Sequence, residues 1–128
     1  RDAQESRGLG DVYKRQPDII LIFGGINDNW ANTPIGEYKY GDFKRADLYT
    51  YRPALAKLIE LAQEHYPNVT LYFIISDDLK TEIVESTKVV CEHYGIKYVQ
   101  LQGIEKESGH PTVKGMETIA NQVLTLIK

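Results

Sequence analysis

The stretch Asp18-Ile-Ile-Leu-Ile-Phe-Gly24-Gly25-Ile-Asn27-Asp28 decides the predicted fold of this 128-residue chain. Its continuous apolar run, rich in branched side chains, is typical of a strand buried on both faces, as in a parallel sheet. The two glycines that follow let the backbone turn sharply. We therefore predict a strand over 18–24 that delivers Asn27 and Asp28 to the carboxyl edge of a sheet, where ligands bind in such folds.

Helical and strand patterns alternate after this strand. The sequence predicts helices over 51–66, 80–94 and 113–127, and further strands over 69–75 and 96–101. The long connection over 26–50 is typical of a functional loop or of one that holds a short helix. Strict alternation predicts an α/β fold with right-handed crossovers, a parallel sheet and helices on both of its faces. The segments after each strand are the functional candidates.

Composition narrows the classes of function. A formal net charge of -3 and a pI near 5.6 give no basic footprint for nucleic acid. No apolar run approaches the roughly 20 residues of a membrane-spanning helix. The single cysteine, Cys91, excludes an internal disulfide and falls on an apolar helix face, so it is interpreted as a core residue. Neither the oligomeric state nor the compartment follows from the sequence, and a secreted or periplasmic location is compatible with it.

The first sixteen residues, RDAQESRGLGDVYKRQ, differ from the rest of the chain. They are highly charged and lack apolar periodicity, and they resemble adapter-derived peptides at the broken ends of gene fragments. We interpret 1–16 as a non-native or disordered segment and 17–128 as one partial domain. The alternative is a genuine polar N-terminal segment.

Two segments at strand ends carry candidate chemistry. In Gly25-Ile-Asn27-Asp28, the Asn27 amide could donate to a developing oxyanion, although asparagine and aspartate are also common turn formers. In Ser108-Gly-His-Pro-Thr-Val-Lys-Gly115, Pro111 suits the first position of the last helix, which places His110 at or near its N-cap. His110 is then either a general base or a capping or packing residue.

Gly25-x-Asn27-Asp28 after a buried strand, followed about 80 residues later by His110-Pro111 before the last helix, resembles the third and fifth sequence blocks of the SGNH (GDSL-like) hydrolases. The resemblance implies a flavodoxin-like α/β/α sandwich and a serine ester hydrolase acting on small acyl esters, including acetyl groups on glycans. Asn27 would be an oxyanion donor, supported by Gly25 and Asp28, and His110 the general base. No metal or organic cofactor is needed. We expect Asn27 and His110 to face one pocket, within roughly 10 Å of each other.

The chain departs from that family in two places. Gly10-Asp11 and Gly41-Asp42 are its only Gly-Asp pairs, and no serine follows either, so the Gly-Asp-Ser-like nucleophile block is missing. We expect the nucleophile and a first strand-helix unit to lie upstream, and the fragment to be inactive. Glu107 stands where the family usually has aspartate. Three interpretations of Glu107 are open. It is the third member of a catalytic triad, a solvated loop charge, or a residue without a catalytic role in a Ser-His dyad whose histidine is held by a backbone carbonyl.

Several other residues have two interpretations. Trp30, Tyr38, Tyr40 and Tyr49 could form a sugar-binding platform or anchor their long loop to the core. Asp77-Asp78 could bind a metal, but helix capping is favoured. His65 and His93 occupy the last turns of their helices, where the helix dipole favours them.

The alternative function is a non-catalytic flavodoxin-like module that binds a carbohydrate or a nucleotide, although the sequence has no glycine-rich phosphate motif. An acyltransferase on the same scaffold also remains open.

Overall fold

The computed structural model describes residues 18–25 and 32–127 of the chain. The strands are β1 (Ile19–Phe23), β2 (Thr70–Ile75), β3 (Lys97–Gln100), β4 (Lys106–Glu107) and β5 (His110–Pro111). The helices are α1 (Tyr51–His65), α2 (Thr81–His93) and α3 (Val113–Ile127), with a short 3-10 helix over Asp47–Tyr49 in the long loop. The three long helices and the first three strands were predicted from the sequence to within about one residue at each end.

Strands β1, β2 and β3 form a parallel sheet in that order. Ile19 pairs with Thr70 and Phe23 with Ile74, while Tyr72 pairs with Lys97 across the next ladder. Parallel neighbours need a long crossover, and α1 and α2 provide the two crossovers. The predicted α/β fold with a parallel sheet is therefore confirmed.

The larger core lies between one face of the sheet and helices α1 and α2. Alternate residues of β2, namely Leu71, Phe73 and Ile75, point to this face. They pack with buried residues of the two helices, which are Tyr51, Leu55, Ala56, Ile59, Ile83, Val84, Val90 and Cys91. Cys91 is fully buried, and burial raises the pKa of its thiol to about 12, so the prediction that it is a core residue is confirmed.

Helix α3 covers the opposite face, where Ile74, Leu101, Ile104 and Val123 form a second core. This helix contacts β3 and leaves much of β1 uncovered. Ile19, Leu21 and Phe23 keep 42%, 46% and 45% of their surface exposed. The expectation that the first strand is buried on both faces is therefore wrong for the described residues. The apolar run 18–24 is typical of a strand covered on both faces. Whether each face is covered is decided by the elements that pack against it, and in the described residues α3 packs against β3.

The long loop is fixed to the start of α1. The first backbone N–H groups of that helix have no partner inside it, and Tyr51 and Arg52 donate theirs to the carbonyls of Pro34 and Ile35, at 2.8 and 2.9 Å. Gly36 follows with a φ of 73°, and a Cβ there would lie 2.3 Å from Thr50 Oγ1, so only glycine fits. Of the two alternatives for this connection, the structure shows the one with a short helix, the 3-10 helix over Asp47–Tyr49.

Candidate functional site

A cavity of about 740 Å³ lies where the sheet strands end. Its polar lining comes from the segment after β2 and from the β4–β5 region, and consists of Ser76, Asp77, Asp78, Lys106, Ser108 and His110. Its apolar lining is Phe23, Leu101, Ile104, Pro111 and Ile119. The structure therefore brings together residues that follow β2 and β3 at the edge of the sheet, as the predicted topology requires.

His110 lies on a short hairpin. Glu107 pairs with His110 and Lys106 with Pro111 in antiparallel register. The two residues between the strands, Ser108 and Gly109, both have positive φ, 52° and 81°, which is the signature of a type I′ turn. The imidazole of His110 is exposed at the tip of this hairpin.

The last helix begins at Val113, as its apolar periodicity predicted, which is two residues later than the expected place of Pro111 at its first position. Pro111 is therefore not its first residue and His110 is not its cap. Thr112 takes that role, because its hydroxyl accepts the N–H of Gly115 at 3.1 Å. Threonine is a much better N-cap than histidine, and strand pairing already engages His110 and Pro111.

The start of α3 also packs tightly against the loop that precedes the hairpin. The N–H of Thr112 donates to the carbonyl of Glu105 at 3.0 Å, and its hydroxyl donates to the Glu105 carboxylate at 2.7 Å. A Cβ on Gly115 would lie 2.1 Å from the Glu105 carbonyl oxygen. The contact therefore requires glycine, and it fixes the C-terminal side of the hairpin.

Glu107 is the strand partner of His110. Directly opposed residues of an antiparallel pair place their side chains on the same face, with Cβ atoms about 4.5–5.5 Å apart. No hydrogen bond or ion pair joins the Glu107 carboxylate to the His110 imidazole in the described part of the chain, and both residues are exposed. The hairpin thus holds the pair within reach of each other, and the choice between a triad and a dyad stays open.

Lys106 lies next to Glu107 in β4, and successive strand residues point to opposite faces. Its ammonium group binds both carboxylates of the segment after β2, namely Asp77 and, at 3.1 Å, Asp78. Asp77 Oδ2 also accepts the N–H of Ile104 at 3.0 Å, and Asp78 Oδ1 accepts the hydroxyl of Ser76 at 2.7 Å. These four groups connect the end of β2 to the base of the hairpin.

The charges of this cluster stabilise one another. Burial alone would raise the pKa of Asp77, but the hydrogen bonds from Lys106 and the Ile104 N–H outweigh it and lower that pKa. The hydrogen bond from Ser76 is the main cause of the lowered pKa of Asp78, and Lys106 adds to it. Burial opposes the charge of Lys106, yet the two carboxylates raise its pKa overall. All three groups are therefore charged at neutral pH.

The expectation that Asp77 or Asp78 caps the second helix is wrong. Helix α2 has Lys80 at its N-cap position, with no side-chain capping bond. The carboxylates turn instead toward Lys106. In the described residues, no group of three or more His, Cys, Asp or Glu side chains could hold a metal ion. Sequence reasoning missed Lys106 and Ser76, because Lys106 sits in a charge run that is equally typical of a solvated loop.

Gly25 shows how the chain leaves β1. Its φ is 88°, and a Cβ would meet Tyr51 Oη at 3.1 Å and Ile83 Cγ2 at 3.3 Å. Both the conformation and the space favour glycine, so the backbone turns directly at the sheet edge. Asn27, Asp28 and Trp30 lie outside the described residues, and the expected closeness of Asn27 to His110 stays a prediction.

The tyrosines of the long loop lie away from this cavity's lining. The Arg52 guanidinium lies 4.0 Å from the centre of the Tyr38 ring, and Tyr40 stacks on His93 with ring centres 3.5 Å apart. Both contacts anchor the loop to helices α1 and α2. Tyr49 is exposed in the 3-10 helix, and His65 is exposed at the end of α1. The structure brings His110 and Glu107 together, and it does not bring Tyr38 to them.

No helix in the described part of the chain is long and apolar enough to cross a membrane.

The chain matches known proteins over most of its length. A sequence model of the GDSL-like Lipase/Acylhydrolase family matches residues 6–127. A crystal structure of a provisionally named GDSL-like lipase from Bacteroides ovatus ATCC 8483 is 48% identical, with a TM-score of 0.84, over 87% of this chain and 54% of that one. A second one, from Bacteroides uniformis ATCC 8492, is 40% identical with a TM-score of 0.84, over 98% of this chain and 59% of that one. A comparison with curated proteins finds no match.

Proposed function

The chain belongs to the GDSL-like lipase/acylhydrolase family, and from this premise we propose that it carries the general base and one oxyanion donor of a serine ester hydrolase. The substrates are small acyl esters, including acetyl groups on glycans. The observation that carries the proposal is the exposed His110 imidazole, which borders a cavity at the carboxyl edge of the sheet and has Glu107 as its strand partner. The chain spans 54% and 59% of the two Bacteroides proteins.

In the proposed reaction, a serine hydroxyl attacks the acyl carbon while His110 Nε2 accepts its proton. The Asn27 amide donates to the oxyanion, which is typically worth about 3–4 kcal/mol in the transition state. The resulting imidazolium then protonates the leaving alcohol as the acyl–oxygen bond breaks. Water deprotonated by the same histidine then attacks the acyl-serine, the bond from the acyl carbon to the serine oxygen breaks, and the imidazolium returns its proton to that oxygen as the acid leaves. The sequence contains no Gly-Asp-Ser block, so the nucleophile of the proposed reaction is a serine supplied from outside the 128 residues.

Glu107 completes the proposed machinery. Glu107 is paired with His110 across the hairpin, and in the proposed reaction its carboxylate accepts the Nδ1–H and stabilises the imidazolium. The alternative is a dyad in which another acceptor holds the ring. Gly25 and Asp28 would shape the loop that presents Asn27, and Trp30 is a weaker candidate for a substrate contact.

A hybrid enzyme tests the proposal. The hybrid joins residues 18–128 of this chain to the region of the Bacteroides ovatus protein that precedes the matched segment. We expect it to hydrolyse p-nitrophenyl acetate, to lose at least about 10³-fold in kcat on His110→Ala, and to lose about 10²–10³-fold on Asn27→Ala. His65→Ala is the matched control, because His65 is an exposed histidine at a helix end away from the cavity.

Two results would contradict the proposal. One is a folded hybrid that shows no hydrolysis while the unaltered Bacteroides ovatus protein does hydrolyse the ester. The other is a hybrid whose rate does not change on His110→Ala. Acetate release from an acetylated xylo-oligosaccharide tests the glycan part separately. Transfer of the acetyl group to a second sugar, in place of its release, would identify an acyltransferase.

A further inference from the structure

The hairpin that carries His110 needs support from the rest of the fold. An isolated two-stranded hairpin is marginally stable at best in water. Glu107, Ser108, Gly109, His110 and Pro111 are all exposed, so this hairpin gains little from burial. On its C-terminal side, Thr112 ties the chain to Glu105. On its N-terminal side, the tie is the cluster of Ser76, Asp77, Asp78 and Lys106, named here the anchor cluster.

We propose that Lys106, held by Asp77 and Asp78, is a positioning residue for His110, fixing the hairpin on the end of β2. This inference rests on the proposed function for its catalytic consequence, although the positioning itself does not require an active enzyme.

The geometry of the anchor cluster supports this role. Asp77 holds the hairpin base twice, through the Lys106 ammonium and through the Ile104 N–H at 3.0 Å. Asp78 holds Lys106 at 3.1 Å and is itself held by Ser76, which is buried at the end of β2. Each carboxylate therefore bonds to two groups, so the cluster is restrained more tightly than an isolated surface ion pair.

Lys106 and His110 leave the hairpin from different faces. Side chains alternate along a strand, so Lys106 reaches the anchor cluster from the face opposite to that of Glu107 and His110. Pairs in an antiparallel ladder alternate between hydrogen-bonded and non-hydrogen-bonded types. Pro111 has no N–H, which suits the non-hydrogen-bonded position opposite Lys106. The anchor therefore holds the hairpin from one face and the imidazole leaves from the other, while both border the same cavity.

Small displacements of a catalytic base have large effects. A misplacement of about 1 Å can cost about 10²-fold in rate. Loss of the Lys106 ammonium would free the N-terminal side of the hairpin while its turn and its Thr112 contact remain. The expected signature is a lower kcat with a nearly unchanged KM, since substrate contacts elsewhere in the cavity persist.

The test uses nuclear magnetic resonance on the 128-residue chain. Lys106→Met keeps most of the side-chain stem and removes the charge, while Lys106→Arg keeps a cation that can reach both carboxylates. Lys39→Met is the matched control, because Lys39 and Asp47 form a half-buried ion pair at 2.6 Å in the long loop, away from the hairpin. The measurements are the His110 Cε1–Hε1 signal, 15N relaxation over 106–111, and hydrogen exchange at the Ile104 and Thr112 amides.

We expect Lys106→Met to shift the His110 signal, to increase motion over 106–111, and to speed exchange at Ile104 by about tenfold. Lys106→Arg should restore the original spectrum, and Lys39→Met should leave it unchanged. In the hybrid enzyme, Lys106→Met should lower kcat about 10–100-fold with KM within about twofold.

The proposal is overturned if Lys106→Met lowers only the melting temperature and leaves the His110 signal and the hairpin dynamics unchanged. It is also overturned if Lys39→Met alters them equally. An inactive hybrid counts against the proposed function alone, because the spectroscopic result on the chain still decides the positioning role.

Discussion

Glu107 and His110 lie directly opposite each other in an antiparallel hairpin closed by Ser108 and Gly109. This pairing puts the two side chains on one face of the hairpin, although no hydrogen bond or ion pair joins them in the described part of the chain. The extra methylene of glutamate relative to aspartate lengthens the side chain, and a pairing distance of about 5 Å between Cβ atoms leaves room for it. Register alone does not separate a triad carboxylate from a solvated loop charge, so the role of Glu107 is decided by kinetics.

We expect Glu107→Gln to lower kcat of the hybrid enzyme between about 10² and 10⁴-fold, because the charge that stabilises the imidazolium is lost. Glu117→Gln, an equally conservative change on the exposed side of α3, should have no effect. Steady-state kinetics on a short-chain acetyl ester measure both. A loss below about tenfold would support the dyad, while the proposed roles of His110 and Asn27 would stand.

The 128-residue chain by itself should not act as a covalent esterase. Its sequence has no serine after either Gly-Asp pair, so the nucleophile block expected for this family is missing from the 128 residues. We expect hydrolysis of p-nitrophenyl acetate at the background rate and no labelling by a fluorophosphonate. Burst kinetics, or a labelled serine found by mass spectrometry, would refute this expectation.

The uncovered face of β1 should make the isolated chain self-associate. Leu21 is 46% exposed and borders an apolar groove with residues of α3, including Met116 and Leu124. Exposed apolar strands are templates for association. Light scattering after size exclusion should show dimers or larger species, which Leu21→Lys reduces. Leu58→Lys is the control, because Leu58 is 48% exposed on α1. A monodisperse monomer of the unaltered chain would contradict the expectation.

The anchor cluster should contribute stability over a defined range of pH. The folded-state pKa values of Asp77 and Asp78 are lowered, so their contribution is present above about pH 4 and is lost as pH falls through the lowered values. The pKa of Lys106 is raised, so its contribution is present below about pH 10 and is lost as pH rises through the raised value.

Urea unfolding of the chain and of Lys106→Met at two pH values measures this contribution. At pH 7 the variant should lose about 1–2 kcal/mol, because the pairs are only partly buried. The difference should shrink at a pH below the lowered carboxylate pKa values. A difference that does not depend on pH would show that the cluster contributes packing alone.

Gly115→Ala should destabilise the chain, although alanine normally stabilises a helix interior by about 0.5–1 kcal/mol relative to glycine. The added Cβ would lie 2.1 Å from the Glu105 carbonyl oxygen, so α3 and the loop must separate. We expect a loss of about 1–3 kcal/mol in thermal or urea unfolding. An unchanged or higher melting temperature would mean that the loop moves freely and that this contact does not fix the hairpin.

The sequence by itself determined the long elements of this protein and their α/β order. Apolar periodicity marks which face of a helix or strand is buried, and Pro67 and Gly95 end helices through local backbone sterics. The placement of His110 at the sheet edge followed from the alternation of elements. The hairpin was not predicted, because each of its strands has only two residues and so shows no detectable periodicity. The start of the last helix was also misjudged, since Thr112 caps it and Pro111 belongs to the hairpin.

Only the tertiary structure decided which charges meet and which apolar faces are covered. Asp77 and Lys106 bond to each other although they are far apart in sequence. From the sequence alone, Asp77-Asp78 was interpreted as a helix cap. Tyr40 anchors its loop to α2, because its ring stacks on that of His93 at the end of that helix. The apolar run of β1 predicts burial on both faces, but α3 packs against β3 and leaves Leu21 exposed. Such contacts depend on how elements pack across the fold, which no local pattern encodes.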